Sequence, residues 1–120
     1  MVLSLGIDAV EIQSLDRDIV VGGRRFLERV FTDRELETCR ERRDQLAACF
    51  AAKEAVAKLL GTGIRGVDWR DIEVLPTQAA SNRVTLHGAA LSVAQERQMT
   101  AIELSISCTA SLAIAVAVAQ

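Results

Sequence analysis

Three side chains in this 120-residue chain have the types and spacing that phosphate chemistry requires. Glu54 and Lys58 lie four positions apart in the stretch FAAKEAVAKLLGTGI, residues 50–64, so on a helix they are neighbours along one stripe. Asp8 lies in the apolar run GIDAVEI, residues 6–12, where its carboxylate must face solvent, an amide cluster, a cation or a metal. Asp8 and Glu54 together would suit Mg²⁺, which typically takes one or two protein carboxylates and completes its shell with water and substrate phosphates.

The same residues also have ordinary explanations. Glu54 and Lys58 are equally consistent with a surface ion pair, which is worth only ~0.3–0.5 kcal/mol on a helix. The turn Gly61-Thr62-Gly63 that follows would let backbone amides approach a phosphate, but glycines at this position commonly just end a helix. Spacing alone leaves both interpretations open.

Strands are predicted at both ends of the chain. Residues 3–8 alternate between large apolar side chains and small or polar ones, which is the period of a half-buried strand and places Asp8 on the small-residue face. Residues 102–108 and 112–118 also alternate, and a turn-prone Thr-Ala-Ser joins them. This pattern predicts an antiparallel hairpin.

Helices are predicted between these strands. Thr32 and Glu35 have the spacing of a capping box, which predicts a helix from there through about Arg43. A second helix is expected over residues 45–60, ended by the glycines that follow it. The remaining predicted elements are a strand at 68–75 entered through Trp69, a loop at 76–83, a short strand at 84–86 and a helix at 88–98. Helices inserted between mostly antiparallel strands make the predicted fold class α+β.

Composition limits the possible partners and compartments. The length predicts a single domain over residues 1–120, and a net charge of −2 gives no long-range attraction to nucleic acid or anionic lipid. Three cysteines without CxxC spacing favour free thiols in the cytoplasm. The uncharged run 104–120 is short and alternating, so paired strands are expected there rather than a membrane helix. No secretory signal is seen at the N-terminus.

The motifs GIDAVEI, FTDRE, FAAKEAVAKLLGTGI, WRDIEV, LHG and LSISCT occur in this order along the chain. In order and approximate spacing the chain resembles the holo-[acyl-carrier-protein] synthases, the short class of 4′-phosphopantetheinyl transferases, over essentially its whole length. The resemblance implies their fold, a mostly antiparallel sheet with packed helices. It also implies transfer of the phosphopantetheine arm of coenzyme A to a serine of an acyl carrier protein, with Mg²⁺, by a homotrimer whose active sites lie between subunits.

The resemblance also implies roles for individual residues. It makes Asp8 and Glu54 the metal ligands and assigns Glu35 to the FTxxE site element. The implied catalytic residues are Asp8, Glu54 and Lys58, and the implied coenzyme A contacts are Lys58, Gly61, Thr62, Gly63, Ser107 and Thr109. The base that takes the serine proton is either Glu54 or a metal-bound water.

Three positions depart from the family pattern. Cys49 replaces an arginine, Cys108 replaces a histidine, and Ser14 replaces a basic residue at the start of the carrier-docking helix. We expect the two cysteines to lie close together and to weaken the grip on coenzyme A, with Arg24 and Arg25 left as a reduced docking patch. Two functions therefore stay open: a working transferase, or a repurposed protein that binds a carrier protein or acts on a carrier-bound acyl chain without transferring the arm.

Overall fold

The structure is a computed structural model that describes residues 3–61, 66–78 and 81–120. Five strands and four α-helices are assigned within these residues. The strands are β1 (Ser4–Glu11), β2 (Ile72–Pro76), β3 (Asn82–Leu86), β4 (Ile102–Cys108) and β5 (Leu112–Ala119). The helices are α1 (Ile12–Val30), α2 (Asp33–Cys39), α3 (Arg43–Leu59) and α4 (Gly88–Glu96). None of the helices in the described part of the chain is long and apolar enough to cross a membrane.

The strands form two antiparallel sheets. One has the order β1-β5-β4, so that the first and last strands of the chain are hydrogen-bonded neighbours, and the other pairs β2 with β3. The predicted α+β class and the C-terminal hairpin are both confirmed. Thr109 closes that hairpin, because its N–H donates to the Leu112 carbonyl and its hydroxyl accepts from two turn amides.

Helix α3 packs directly on the three-stranded sheet because both surfaces carry small residues. A Cβ at Gly6 would collide with the carbonyl oxygen of Ala55 and would lie only 2.7 Å from the Leu59 nitrogen. The facing side chains are fully buried alanines, Ala51, Ala52 and Ala55 on the helix and Ala113, Ala115 and Ala117 on β5. This close approach brings the middle of β1 next to the C-terminal half of α3.

The alternation in β1 is confirmed, but the buried face is the small-residue face. Leu3, Leu5 and Ile7 are 57%, 55% and 58% exposed, because α3 covers the opposite side of the strand. Their neighbours across the sheet, Val118 and Val116 on β5, point to the same open face. The monomer therefore presents an apolar sheet surface to solvent.

The capping box at the start of α2 is confirmed. The Thr32 hydroxyl accepts from the Glu35 amide at 3.1 Å, and the Glu35 carboxylate accepts from the Thr32 amide at 2.8 Å. The predicted extension of this helix to about Arg43 is wrong. Arg40 and Glu41 adopt φ angles of 50° and 62°, which are not helical. Helix α2 therefore ends at Cys39, and α3 begins at Arg43.

Other element boundaries also differ from the prediction. The segment at Trp69–Asp71 is a 3-10 turn instead of strand, because the Asp68 side chain accepts from the Arg70 amide and holds the backbone in a turn. Helix α4 ends at Glu96, two residues early. The first helix, which periodicity alone did not reveal, is interrupted at Gly23, whose φ of 59° is not helical.

Candidate active site

The structure brings Asp8, Glu54 and Lys58 together at the contact between β1 and α3. Lys58 Nζ lies 2.6 Å from Asp8 Oδ1 and 3.3 Å from the carbonyl oxygen of Ile7. The Asp8 side chain is 12% exposed and the Lys58 side chain 52%, so the carboxylate lies at the base of the cluster and the ammonium group at its rim. The predicted neighbour relation of Glu54 and Lys58 thus becomes a three-residue cluster in which Lys58 binds Asp8.

The cluster contains two carboxylates, Asp8 and Glu54, and one positively charged side chain, Lys58. Partial burial, then the charge of Asp8 and its hydrogen bond to Glu54, together raise the pKa of Glu54 to about 7, while Lys58 partly offsets the shift. The pKa of Lys58 is raised, first by its hydrogen bond to Asp8 and also by the charges of both carboxylates. The cluster therefore favours an additional cation.

Mg²⁺ fits this donor set. Asp8 and Glu54 offer hard carboxylate oxygens, and the raised pKa of Glu54 shows that a divalent cation would relieve their mutual repulsion. Among the described residues no group of three or more His, Cys, Asp or Glu side chains forms a metal cage. A two-carboxylate site suits an ion that keeps most of its coordination positions for water and substrate oxygens.

A second polar cluster, which sequence reasoning missed, lies buried behind the first. Lys53 is fully buried beside Glu54, and its Nζ donates to Glu35 Oε1 at 2.7 Å and to the Ile72 carbonyl at 2.6 Å. Glu35 Oε2 also accepts from the Val74 amide at 2.8 Å. The pair joins α2, α3 and β2 in the interior of the protomer.

This network continues through two further side chains. The Thr32 hydroxyl that caps α2 donates to Glu73 Oε2 at 2.7 Å. The other Glu73 oxygen lies 3.5 Å from His87 Nε2 and 3.7 Å from an Arg34 nitrogen. Burial alone would raise the pKa of Glu73, but the hydrogen bonds from Thr32 and His87, with the Arg34 charge, lower it. The carboxylate is therefore held in its ionised form.

The implied coenzyme contacts are spread over two faces of the protomer. Gly61 adopts a φ of 80° directly after α3, which confirms it as the glycine that ends the helix. Thr62 and Gly63 lie outside the described residues. Ser107 lies in register with Ile114 on the open face of the sheet, whereas Asp8 projects from the opposite face. One protomer thus does not bring Ser107 to the carboxylates.

Cys49 and Cys108, which we expect to lie close together, differ in burial, and Cys49 has another cysteine as a neighbour. Cys49 is buried in α3, where its thiol hydrogen-bonds with that of Cys39. Cys108 ends β4 and is exposed. Cys39 is the last residue of the capping-box helix, and no spacing in the sequence links it to Cys49.

The first helix carries a positive charge next to Ser14, the position where the family pattern has a basic residue. Arg17 Nη2 donates to the Ser14 hydroxyl at 3.2 Å, so a guanidinium group from the next turn lies over the position of the missing basic residue. Arg24 pairs with Glu28 at 3.0 Å on the surface, and Arg25 is exposed. Val20 and Val21 lie between these arginines in α1, and their side chains are 72% and 89% exposed.

A family model for the 4′-phosphopantetheinyl transferase superfamily matches residues 4–117. The chain belongs to this superfamily. It is 40% identical to the holo-[acyl-carrier-protein] synthase of Caldanaerobacter subterraneus subsp. tengcongensis, over 99% of this chain and 95% of the relative. It is 45% identical to the holo-[acyl-carrier-protein] synthase of Magnetococcus marinus, over 100% of this chain and 94% of the relative.

The fold agrees with the family. The crystal structure of Helicobacter pylori holo-[acyl-carrier-protein] synthase in complex with coenzyme A superposes with a TM-score of 0.87, at 29% identity, over 97% of this chain and 99% of that one. The resemblance stated from the sequence motifs and the predicted fold class are therefore both confirmed.

Proposed function

We propose that this protein is a holo-[acyl-carrier-protein] synthase, which transfers the 4′-phosphopantetheine arm of coenzyme A to a serine of an acyl carrier protein. The observation that carries the proposal is the convergence of Asp8, Glu54 and Lys58 from elements far apart in the chain. Family membership and full-length relatives with this activity support it. A repurposed protein would have no need to keep this cluster intact.

Asp8 and Glu54 would hold Mg²⁺ through their carboxylate oxygens. When bound, the ion supplies positive charge to the pyrophosphate oxygens on which negative charge develops as 3′,5′-ADP leaves. The chain's own part is to hold the two carboxylates next to each other. Lys58 contributes by its hydrogen bond to Asp8.

Lys58 is placed to bind a phosphate of coenzyme A as well. Two of its protons are directed to Asp8 and to the Ile7 carbonyl, and the half-exposed ammonium group has a third donor left for a ligand at the rim of the cluster. Gly61, Thr62 and Gly63 follow Lys58 in the sequence, and we assign this turn to the same phosphates. The Gly61 amide itself donates to the Lys58 carbonyl, so the phosphate-binding amides would come from the two residues after it. Orienting the phosphate for in-line attack by the carrier serine is the main contribution expected of these groups.

Glu54 and a metal-bound water are both available to take the proton of the incoming serine. Glu54 lies beside the proposed phosphate position and is half-buried, which makes it the protein base in the cluster. The geometry of the free protomer favours neither source over the other.

We also propose that the active form is a homotrimer with its sites between subunits. The open face of the sheet carries three apolar side chains that are more than half exposed, which is unusual for a protein that stays monomeric. Ser107 lies on that face, and Asp8 lies on the other. Contact between the open face and a neighbouring protomer would let Ser107 and Thr109 complete a site that holds the partner's carboxylates.

The acyl carrier protein is expected to dock on α1. Arg17, Arg24 and Arg25 provide positive charge for an acidic carrier, and Val20 and Val21 provide exposed apolar surface beside it. No role for nucleic acid or membrane is proposed. A cytoplasmic location, inferred from the three free cysteines, stays a prediction.

The proposal is tested by incubating the protein with coenzyme A, Mg²⁺ and a panel of apo acyl carrier proteins, and measuring the intact mass of each carrier. At least one carrier is expected to gain a phosphopantetheine group, with release of 3′,5′-ADP. A protein that binds a carrier without changing its mass would instead be a repurposed member of the family.

A further inference from the structure

Two buried cysteines lie side by side between α2 and α3, outside the cluster proposed for catalysis. Cys39 is the last residue of α2 and is 6% exposed, and Cys49 lies in α3 and is 7% exposed. Their thiols hydrogen-bond with each other, and both line one cavity of ≈ 70 Å³. Cys49 Sγ also lies 4.0 Å from the Val74 carbonyl oxygen. The proposed transfer reaction uses neither thiol.

The two thiols are chemically different. The hydrogen bond from Cys49 lowers the pKa of Cys39, and the nearby Arg42 charge lowers it as well, although burial and the charges of Glu35 and Asp44 act in the other direction. The same hydrogen bond, together with burial, raises the pKa of Cys49 well above its ordinary value. Cys39 is therefore the nucleophile of the pair, and Cys49 is the thiol that keeps its proton.

Their positions agree with this division. Cys39 ends α2 next to the exposed Arg40, whereas Cys49 lies inside α3. Both side chains line the same cavity, which is the arrangement that an attacking and a resolving cysteine require.

We propose that Cys39 and Cys49 are a redox modification site that forms an intramolecular disulfide by exchange with a low-molecular-weight disulfide, RSSR. The Cys39 thiolate attacks one sulfur of RSSR, which forms a mixed disulfide on Cys39 and releases the first RS⁻. Cys49 then gives its proton to solvent and attacks Cys39 Sγ, so the bond to the remaining RS group breaks. The protein loses two electrons and two protons, and RSSR is reduced to two RSH.

The disulfide would covalently join α2 to α3 one helical turn before Lys53. Because Lys53 already connects these elements through Glu35, the cross-link preserves an existing contact. It also shortens the unfolded chain between residues 39 and 49, so the oxidised protein is expected to melt at a higher temperature than the reduced protein.

The test is oxidation of the wild-type protein and of Cys108→Ser with excess glutathione disulfide, followed by intact mass and peptide mapping. Cys108→Ser is the matched control because that thiol is exposed and lies outside the pair. Both proteins are expected to lose two hydrogen atoms in mass at the pair, with a peptide that links Cys39 to Cys49 and that dithiothreitol reverses. In the wild type, Cys108 can carry a separate glutathione adduct.

The Cys49→Ser variant separates formation of the mixed disulfide on Cys39 from its resolution by Cys49. This variant is expected to keep glutathione on Cys39, because the resolving thiol is gone. The proposal is overturned if glutathione modifies only Cys108 in the wild type while Cys39 and Cys49 can still be alkylated after unfolding. It is also overturned if a mixed disulfide on Cys39 persists in the wild type without resolution. Both of these outcomes are measured on the wild-type protein, so they test the proposal even if Cys49→Ser does not fold.

Discussion

Lys58 Nζ lies 2.6 Å from Asp8 Oδ1, although 50 residues separate them along the chain. The contact exists because α3 lies directly on β1, and that packing exists because Gly6 has no side chain to hold the helix away. The same packing places Glu54 beside Asp8. A structural glycine two residues from the acid thus determines whether the candidate active site forms.

Gly6→Ala is expected to lower the free energy of unfolding by about 1–3 kcal/mol. The new methyl group would meet backbone atoms of Ala55 and Leu59, which cannot rotate away, so the helix must shift from the strand. Urea unfolding measures the change, with Ala9→Ser as a control because Ala9 lies on the open face of the same strand. Unfolding midpoints that coincide for wild type and Gly6→Ala would show that the close packing is not required.

Leu5→Glu is expected to convert the assembled protein to monomers. A charge at this position lies in the centre of the open apolar face, next to Val118, where burial against another protomer would leave it unpaired. Val21→Glu is the control, because Val21 is an exposed aliphatic side chain on α1, away from the open face. Sedimentation velocity at micromolar concentration distinguishes the species. A wild-type monomer, or a trimer that tolerates Leu5→Glu, contradicts the proposed interface.

Arg17→Ala combined with Arg25→Ala is expected to raise KM for the carrier protein several-fold while affinity for coenzyme A stays unchanged. The two arginines lie on α1, away from the carboxylate cluster, and act by attracting an acidic partner. The effect should shrink as salt is added, because exposed charges are screened. Arg40→Ala serves as the control. Equal KM values for the double variant and the control would place the docking surface elsewhere.

Glu73→Gln is expected to destabilise the protein at neutral pH but much less in acid. The folded-state pKa of Glu73 lies below 4.5, so its ionised form contributes stability above about pH 4.5, and this contribution is lost as pH falls through the folded pKa. The loss at pH 7 should be about 1–3 kcal/mol, since Thr32 and His87 would lose a charged partner. Urea unfolding of both proteins at pH 7 and near pH 4 measures it, and a pH-independent difference contradicts the assignment.

Local signals in the sequence predicted most of the elements. The Thr32 and Glu35 spacing predicted a capping box, Gly61 predicted the end of α3, and alternation predicted the terminal hairpin, because each depends on residues close together in the chain. Periodicity was not used to predict α1, although its buried residues Leu15, Ile19, Leu27 and Val30 recur at helical spacing on either side of the break at Gly23. Alternation in β1 showed which residues share a face, but it could not show which face a helix would cover.

The contacts within the candidate site were less accessible to sequence reasoning. A lysine in the middle of a helix usually indicates a solvated surface, so nothing in the sequence signalled that Lys53 is fully buried against Glu35. Likewise, helical spacing placed Lys58 next to Glu54 and could not reveal its bond to Asp8. Cys49 was interpreted as a lost phosphate contact, and its pairing with Cys39 depends on how two helices meet. The expected weaker grip on coenzyme A stays a prediction.

The most direct measurement is the rate at which the protein loads an apo acyl carrier protein from coenzyme A in Mg²⁺, compared with the rates of Asp8→Asn and Glu54→Gln. Glu37→Gln is the matched control, because that carboxylate is exposed on α2. We expect Mg²⁺-dependent loading by wild type and control, and a loss of about 10²–10³-fold in each site variant whose circular dichroism matches wild type. Loading at the wild-type rate by both site variants would contradict this expectation.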